Sequence, residues 1–172
     1  MQIPLVMTVI GPDRTGLVES VARLVAEHDG NWLESRMCRL GGEFAGILRV
    51  HLPTARRAAL EQALARLPGL TIVVRSDETA RPATAPQLAA LEVVGQDRPG
   101  IVREITRALA AQGVNVEELA TECVSAPMSG ELLFQARARL LLPGGLTINA
   151  LRQSLESAVT GLTVEVTLAE LK

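Results

Sequence analysis

The sequence predicts an α+β protein made of two tandem βαββαβ units, each an antiparallel sheet carrying its helices on one face. Three observations predict it. The block from Val9 to Glu34 recurs without a gap from Val93 to Glu118. Short β-branched runs and segments of helical period follow each other in the same order in both halves. The extra length of the second half falls in turn-forming stretches, Ser125-Ala126-Pro127-Met128-Ser129-Gly130 and Pro143-Gly144-Gly145, where insertions are tolerated. A later block repeats as well: Gly69-Leu70-Thr71-Ile72-Val73 resembles Gly161-Leu162-Thr163-Val164-Glu165.

The elements of the first half follow in order. Ile3 to Ile10 is a β-branched apolar run stopped by Gly11-Pro12, a strand with apolar residues enough to be buried on both faces. Leu17, Val18, Val21, Leu24 and Val25 then recur at helical spacing. Asp13 or Thr15 can cap that helix, and Asp97 with Pro99 in the first turn serves the second copy. The helices end near Asp29-Gly30 and Gln112-Gly113. Asn31 to Leu40 and Glu43 to Leu52 form a hairpin about Gly41-Gly42. In the returning strand Phe44, Gly46, Leu48, Val50 and Leu52 alternate with Ala45, Ile47, Arg49 and His51. A second helix carries Leu60, Ala63, Leu64 and Leu67 and ends at Pro68-Gly69; Leu70 to Val74 is the last strand. This is the split βαβ, or ferredoxin-like, arrangement, with both helices on one sheet face and the other face and the edges free for pairing. Residues 1–76 form the first domain and 87–172 the second. Residues 77–86, with two prolines and no large apolar residue, form a linker.

Composition excludes several functions. Aromatics are 2% of the 172 residues: Trp32, Phe44 and Phe134, with no tyrosine. Single-stranded nucleic-acid and RNA-recognition surfaces need stacking platforms that such a chain lacks. Seventeen basic and nineteen acidic residues leave no basic excess for phosphate backbones. Cys38 and Cys123 cannot make a disulfide framework. They read as half-buried thiols in a reducing cytoplasm, offset by one position between the repeats and facing opposite sides of their sheets. His28 and His51 have no second ligand at metal spacing, so no metal or cofactor is expected. The start, MQIPLVMTVIGPDR, is neither a secretory signal nor a membrane span, which points to the cytoplasm. Arg56-Arg57 and Arg103 to Arg107 read as solvated helix faces; Arg137 and Arg139 share a strand face, open to solvent or to a partner.

The candidate site is the repeated Gly-x-Asp-Arg-x-Gly, Gly11 to Gly16 and Gly95 to Gly100, where the first strand turns into the first helix. A helix start presents unpaired N–H groups at positive potential, suited to a carboxylate. Glycine there lets a small ligand reach the backbone. Asn31 and Asn115, at the start of the second strand, offer amides that orient amino or carboxyl groups. Two readings stay open: a pair of amino-acid sites, or only caps, close-packing glycines and turn formers.

Asp97-Arg98-Pro99-Gly100-Ile101-Val102, followed by Gly113-Val114-Asn115-Val116, resembles the ACT domain, a regulatory module that senses small molecules. The first copy shows the same pattern as Asp13-Arg14-Thr15-Gly16-Leu17-Val18 and Gly30-Asn31-Trp32. Asn31-Trp32-Leu33-Glu34-Ser35-Arg36-Met37, with Leu40-Gly41-Gly42-Glu43-Phe44, is similar to tandem-ACT repressors of the glycine cleavage system. That resemblance implies a non-enzymatic sensor whose modules pair side by side, so a homo-oligomer is expected. It implies a small amino acid, glycine or serine, held by Asp13, Arg14, Gly16, Leu17 and Asn31 and by Asp97, Arg98, Gly100, Ile101 and Asn115. It also implies that the protein binds no DNA itself and acts on a protein partner such as a LysR-type activator. Thr15 replaces the usual proline of the motif, and Trp32, in place of a small aliphatic residue, can partly fill the first pocket. The alternatives are a structural adaptor, a regulatory subunit of an enzyme of amino-acid metabolism, or a small hydrolase of the same fold. No Ser/His/Asp or Cys/His group supports the hydrolase.

Overall fold

The computed structural model describes residues 1–77, 87–126, 130–161 and 163–171. The chain divides into two compact units, Met1–Ala80 and Arg81–Lys172. Of the expected linker only Asp77 is described, and it is tied to the first unit: its N–H donates to Pro4 O and its buried carboxylate meets Arg49 Nε at 2.7 Å. The expected linker residues 78–86, Pro127-Met128-Ser129 of the expected insertion and Leu162 of the later repeated block lie outside the described residues.

The first unit runs β1 (Gln2–Pro12), α1 (Leu17–Glu27), β2 (Asn31–Leu40), β3 (Glu43–Pro53), a short 3-10 turn, α2 (Arg57–Leu64) and β4 (Thr71–Ser76). The second repeats this as β5 (Gln87–Gln96), α3 (Ile101–Ala111), β6 (Asn115–Ser125), β7 (Leu132–Leu142), α4 (Ile148–Ala158) and β8 (Val164–Leu171). The sheets are ordered β2-β3-β1-β4 and β6-β7-β5-β8, with every ladder antiparallel. The predicted tandem ferredoxin-like fold is the observed one.

Each core is aliphatic and lies between the sheet and its helices. In the first unit Leu5, Met7 and Val9 of β1 pack with Leu48, Val50 and Leu52 of β3 beneath Val21, Leu24 and Val25 of α1 and Leu60 and Leu64 of α2. In the second, Phe134 of β7 joins Leu91, Val93 and Leu140 under α3 and α4. Fully burying one such side chain contributes about 1.5–3 kcal/mol. β1 is not buried on both faces as its composition suggests: Thr8 and Ile10 point to the open side and are exposed. The helices cover only one face, so the period-2 alternation decides which residues are dry. β2 and β6 each carry a bulge in their first half, at Trp32/Glu34 and Val116/Glu118. Among the described residues no helix is long and apolar enough to cross a membrane.

The end of the first strand is the tightest point of each unit. A Cβ at Gly11 would collide with the carbonyl oxygen of Gly69, and one at Gly95 with that of Thr163. Only glycine lets the strand end press on the loop before the last strand. Gly95→Ala and Gly11→Ala are therefore expected to cost about 1–3 kcal/mol each, the range for overpacking a tight contact. Urea unfolding followed by circular dichroism checks this; an unchanged midpoint refutes it.

Candidate functional site

The helix starts differ from expectation in their caps. Asp13, Thr15 and Asp97 do not cap. The N-cap residues are Gly16 and Gly100, in the left-handed region at φ 86° and 99°, and no side chain caps either helix. The left-handed turn carries the chain from strand into helix more sharply than an Asp or Thr cap in extended geometry allows, and glycine adopts it without penalty. A Cβ at either position would meet nothing within 4 Å, so the surface above both helix starts is open. First-turn N–H groups there lie at the positive end of the helix dipole, and neither N-cap residue offers them a side-chain acceptor.

The two aspartates are used elsewhere. Asp13 Oδ2 pairs with Arg39 Nε of β2 at 2.6 Å. Asp97 accepts a hydrogen bond from the Cys123 thiol of β6. Arg39 and Cys123 occupy the same position of the repeat, so one aspartate-to-second-strand contact is built with two chemistries. Partial desolvation of the sulfur, then the charge of Asp97 and the hydrogen bond to it, raise the Cys123 thiol above its ordinary value. Both cysteines are exposed and free, not half-buried as their residue type suggests, because both lie on edge strands. The register puts Cys38 opposite Ala45 on the open sheet face and Cys123 opposite Phe134 on the helix side, so they do face opposite sides.

The arginines of the motif close the junction. Arg14 Nη2 donates to Pro68 O at 3.0 Å; Arg98 donates to Gly161 O at 3.3 Å and to Thr163 Oγ1 at 2.7 Å. Both hold the first loop against the loop before the last strand. Leu17 and Ile101 are buried at 3% and 1% exposure, and Ile101 belongs to the second core cluster. Of the ten predicted site residues, Gly16 and Gly100 mark open backbone, Asp13 and Asp97 flank it, and Arg14, Arg98, Leu17 and Ile101 are structural.

Asn31 and Asn115 are exposed but lie at the other end of their sheets. Asn31 stands opposite His51, which stands opposite Pro4, whereas Pro12 stands opposite Glu43 beside Leu40. Eight strand residues separate the two ends, about 26 Å at 3.3 Å per residue. In the second unit Asn115, Leu141 and Leu88 share one end and Val124, Leu133 and Gln96 the other. Asn115 Nδ2 donates to Glu117 Oε1 at 2.9 Å. Within one unit, loop and asparagine are not brought together.

One feature was not read from the sequence. An apolar groove runs along α3, between Val102, Ile105, Thr106 and Leu109 of the helix and Val116, Leu119 and Ala136 of the sheet. In the first unit the position of Ala136 is Gly46, and the Met37 side chain lies where a Cβ would stand. Trp32 and Met37 are partly buried against that core. The repeat alignment carries the signal, since bulky residues of one copy answer to small ones of the other.

Comparisons with known proteins agree with this architecture. A family model of the ACT domain matches residues 4–73, and a second ACT-domain model matches residues 89–134. The crystal structure of an unknown protein from Galdieria sulphuraria is 32% identical, with both chains covered in full and a TM-score of 0.86. A structure provisionally assigned as a glycine cleavage system transcriptional repressor is 21% identical, covering 100% of this chain and 99% of its own, with a TM-score of 0.70. That second likeness is one of fold. No curated protein sequence matches the chain.

Asp97→Asn removes the charge that opposes thiolate formation at Cys123, so alkylation of Cys123 at pH 8 is expected to speed up several-fold. Cys38, on the other unit, serves as internal reference. Mass-spectrometric rates with iodoacetamide check this; an unchanged ratio of the two rates refutes the contact.

Proposed function

The chain belongs to the ACT-domain family, with two ACT domains in tandem, and from that premise we propose that it is a non-enzymatic regulator sensing a small amino acid. The observation that carries the reading is the uncapped, open helix start at Gly16 and again at Gly100. An amino-acid carboxylate takes the hydrogen bonds that no side chain supplies there. Glycine or serine is the expected ligand, because backbone N–H groups do most of the recognition and ask little of the ligand's side chain.

The asparagines complete the site from a neighbouring ACT unit of a second chain. Two second strands laid edge to edge and antiparallel set the start of one beside the end of the other. Asn31 or Asn115 then approaches the Asp-Arg-x-Gly loop that its own unit holds about 26 Å away. Binding at such a junction favours one arrangement of the assembly over another, which is how a sensor shifts a population.

The output is a protein contact. A repressor-type role in the glycine cleavage system, acting on a LysR-type activator and releasing it when glycine binds, is the specific form we propose. The aromatic-poor surface and the balance of 17 basic against 19 acidic residues support action through a protein rather than through DNA. Two exposed free thiols support a reducing cytoplasm as its place of work. The second reading is a ligand-free structural adaptor, favoured by the use of Arg14, Arg98, Leu17 and Ile101 in clamps and core.

Thermal unfolding in the presence of each of the twenty amino acids separates the two. A ligand at about one hundred times its Kd stabilises the liganded state by about 2.7 kcal/mol. A rise in Tm with glycine or serine, lost in the double variant Asn31→Ala/Asn115→Ala, is the expected result. No rise with any amino acid at millimolar concentration rules out the sensor in favour of the adaptor.

A further inference from the structure

The two units share one grid of core positions but do not fill it equally. Leu5, Leu24 and Leu48 of the first unit answer to Ala89, Ala108 and Ala138 of the second, all of them buried. Each such exchange removes three carbons from the interior. Val21, Val25 and Val50 answer to Ile105, Leu109 and Leu140, and Gly46 to Ala136, each returning only one carbon. The second strand widens the difference. Trp32 and Met37, partly buried against the first core, answer to Val116 and Thr121. Leu119 is larger than its counterpart Ser35, but it is 48% exposed and adds little to the interior.

The volume given up opens as the groove along α3. Its floor is the buried set Leu91, Val93, Phe134 and Ala138, and its rim is Val102 and Leu119, both exposed. The hydroxyl of Thr106, which also lines it, is spent on Val102 O at 2.8 Å. The walls therefore offer water no hydrogen bonds, and a buried water needs at least about two. An unfilled apolar slot forfeits the contacts that its lining would otherwise make. In the first unit the same place is filled from within. Met37 lies over Gly46 so closely that a Cβ there would collide with its side chain.

We propose that the α3 groove of the second unit binds a slim apolar guest, an unbranched aliphatic or thioether chain. The lining selects that class, because it holds no partner for a polar group, and an apolar cavity stays dry and takes an apolar molecule. The first unit shows the shape that fits. The side chain in the same place there is the unbranched thioether of Met37, of a kind that fills irregular gaps. The rim between Val102 and Leu119 leaves a polar end of the guest in solvent. The same chain can arrive as the side chain of a free amino acid or as a simple aliphatic alcohol. Binding there needs neither the N–H groups of the helix start nor the asparagines, and so stands apart from the sensor reading.

The test is a methyl NMR titration of the full chain with norleucine, methionine and 1-butanol. Saturable shifts of the Ile105, Leu109 and Leu119 methyls are the expected result. A response to 1-butanol means that the chain alone suffices; a response to the two amino acids only means that it arrives as their side chain. Either supports the proposal. Thr121→Met, on the exposed side of β6, and Ala138→Leu, in the floor, each restore the first unit's residue and fill the groove. Circular dichroism verifies that both fold, and each is expected to bind at least tenfold more weakly than the wild type. No saturable shift with any of the three guests overturns the proposal, as does wild-type affinity in both filled variants. Shifts of the same methyls on dilution without a guest mean that a second copy covers the groove, and they overturn it too. Thermal shifts with glycine and serine are expected to be the same in the filled variants as in the wild type, so failure of the sensor reading appears there and not in the titration.

Discussion

Both units depend on the contact where the first strand ends against the loop that leads into the last strand. Gly11 lies on Gly69 and Gly95 on Thr163, so closely that neither tolerates a Cβ. The arginine three positions on reaches across the same gap, to Pro68 O in one unit and to Gly161 O and Thr163 Oγ1 in the other. This closure holds the central strand next to the edge strand β4 or β8. It also sets the direction in which the chain leaves the sheet, and the left-handed Gly16 or Gly100 turns it directly into the helix. The open helix start is thus a consequence of packing: the loop's arginines fasten the junction, its aspartates turn to β2 or β6, and a left-handed glycine stands at the N-cap. A functional surface made of backbone is what such a junction leaves over.

The repeat shows which parts of the unit are constrained and which are free to diverge. Core positions keep their polarity although not their size, Leu5, Leu24 and Leu48 of the first unit answering to Ala89, Ala108 and Ala138 of the second. The pairs around the site do not. Asp13 meets a guanidinium where Asp97 meets a thiol. Met37 covers Gly46 where the second unit leaves a groove beside Ala136. Arg36, Ile47 and Val73 answer to Ala120, Arg137 and Thr167 across the open faces. Exposed ion pairs such as Arg23 with Glu27 or Arg56 with Asp29 contribute about 0–1 kcal/mol each. Surface chemistry could therefore change from copy to copy while the aliphatic cores kept both folds. A tandem protein gains from this two similar scaffolds with dissimilar contacts.

The order of elements, the tandem repeat and the membership of the core were legible in the sequence, because periods of 2 and 3.6 and paired glycine turns are local properties. Leu17 and Ile101 fall in the helical pattern and are buried as that pattern requires. The same locality explains what was misread. An aspartate before a helix looks like a cap in sequence, but the left-handed glycine after it already makes the turn, and its carboxylate finds a partner on β2 or β6. A cysteine looks half-buried by residue type, but edge-strand position exposes it. An apolar run looks buried on both faces, yet a sheet with helices on one side leaves Thr8 and Ile10 open.

By itself, then, the sequence determined the two βαββαβ units, their aliphatic cores and the twin Asp-Arg-x-Gly loops, since these follow from hydrophobic period and from the few residues that permit sharp turns. Only the tertiary structure decided what the loop residues touch. It spent Arg14 and Arg98 on the neighbouring loop, gave Asp13 an arginine and Asp97 a thiol, and set Asn31 and Asn115 at the far ends of their sheets. These outcomes rest on strand order and register, which join residues distant in the chain, and no local pattern encodes such contacts.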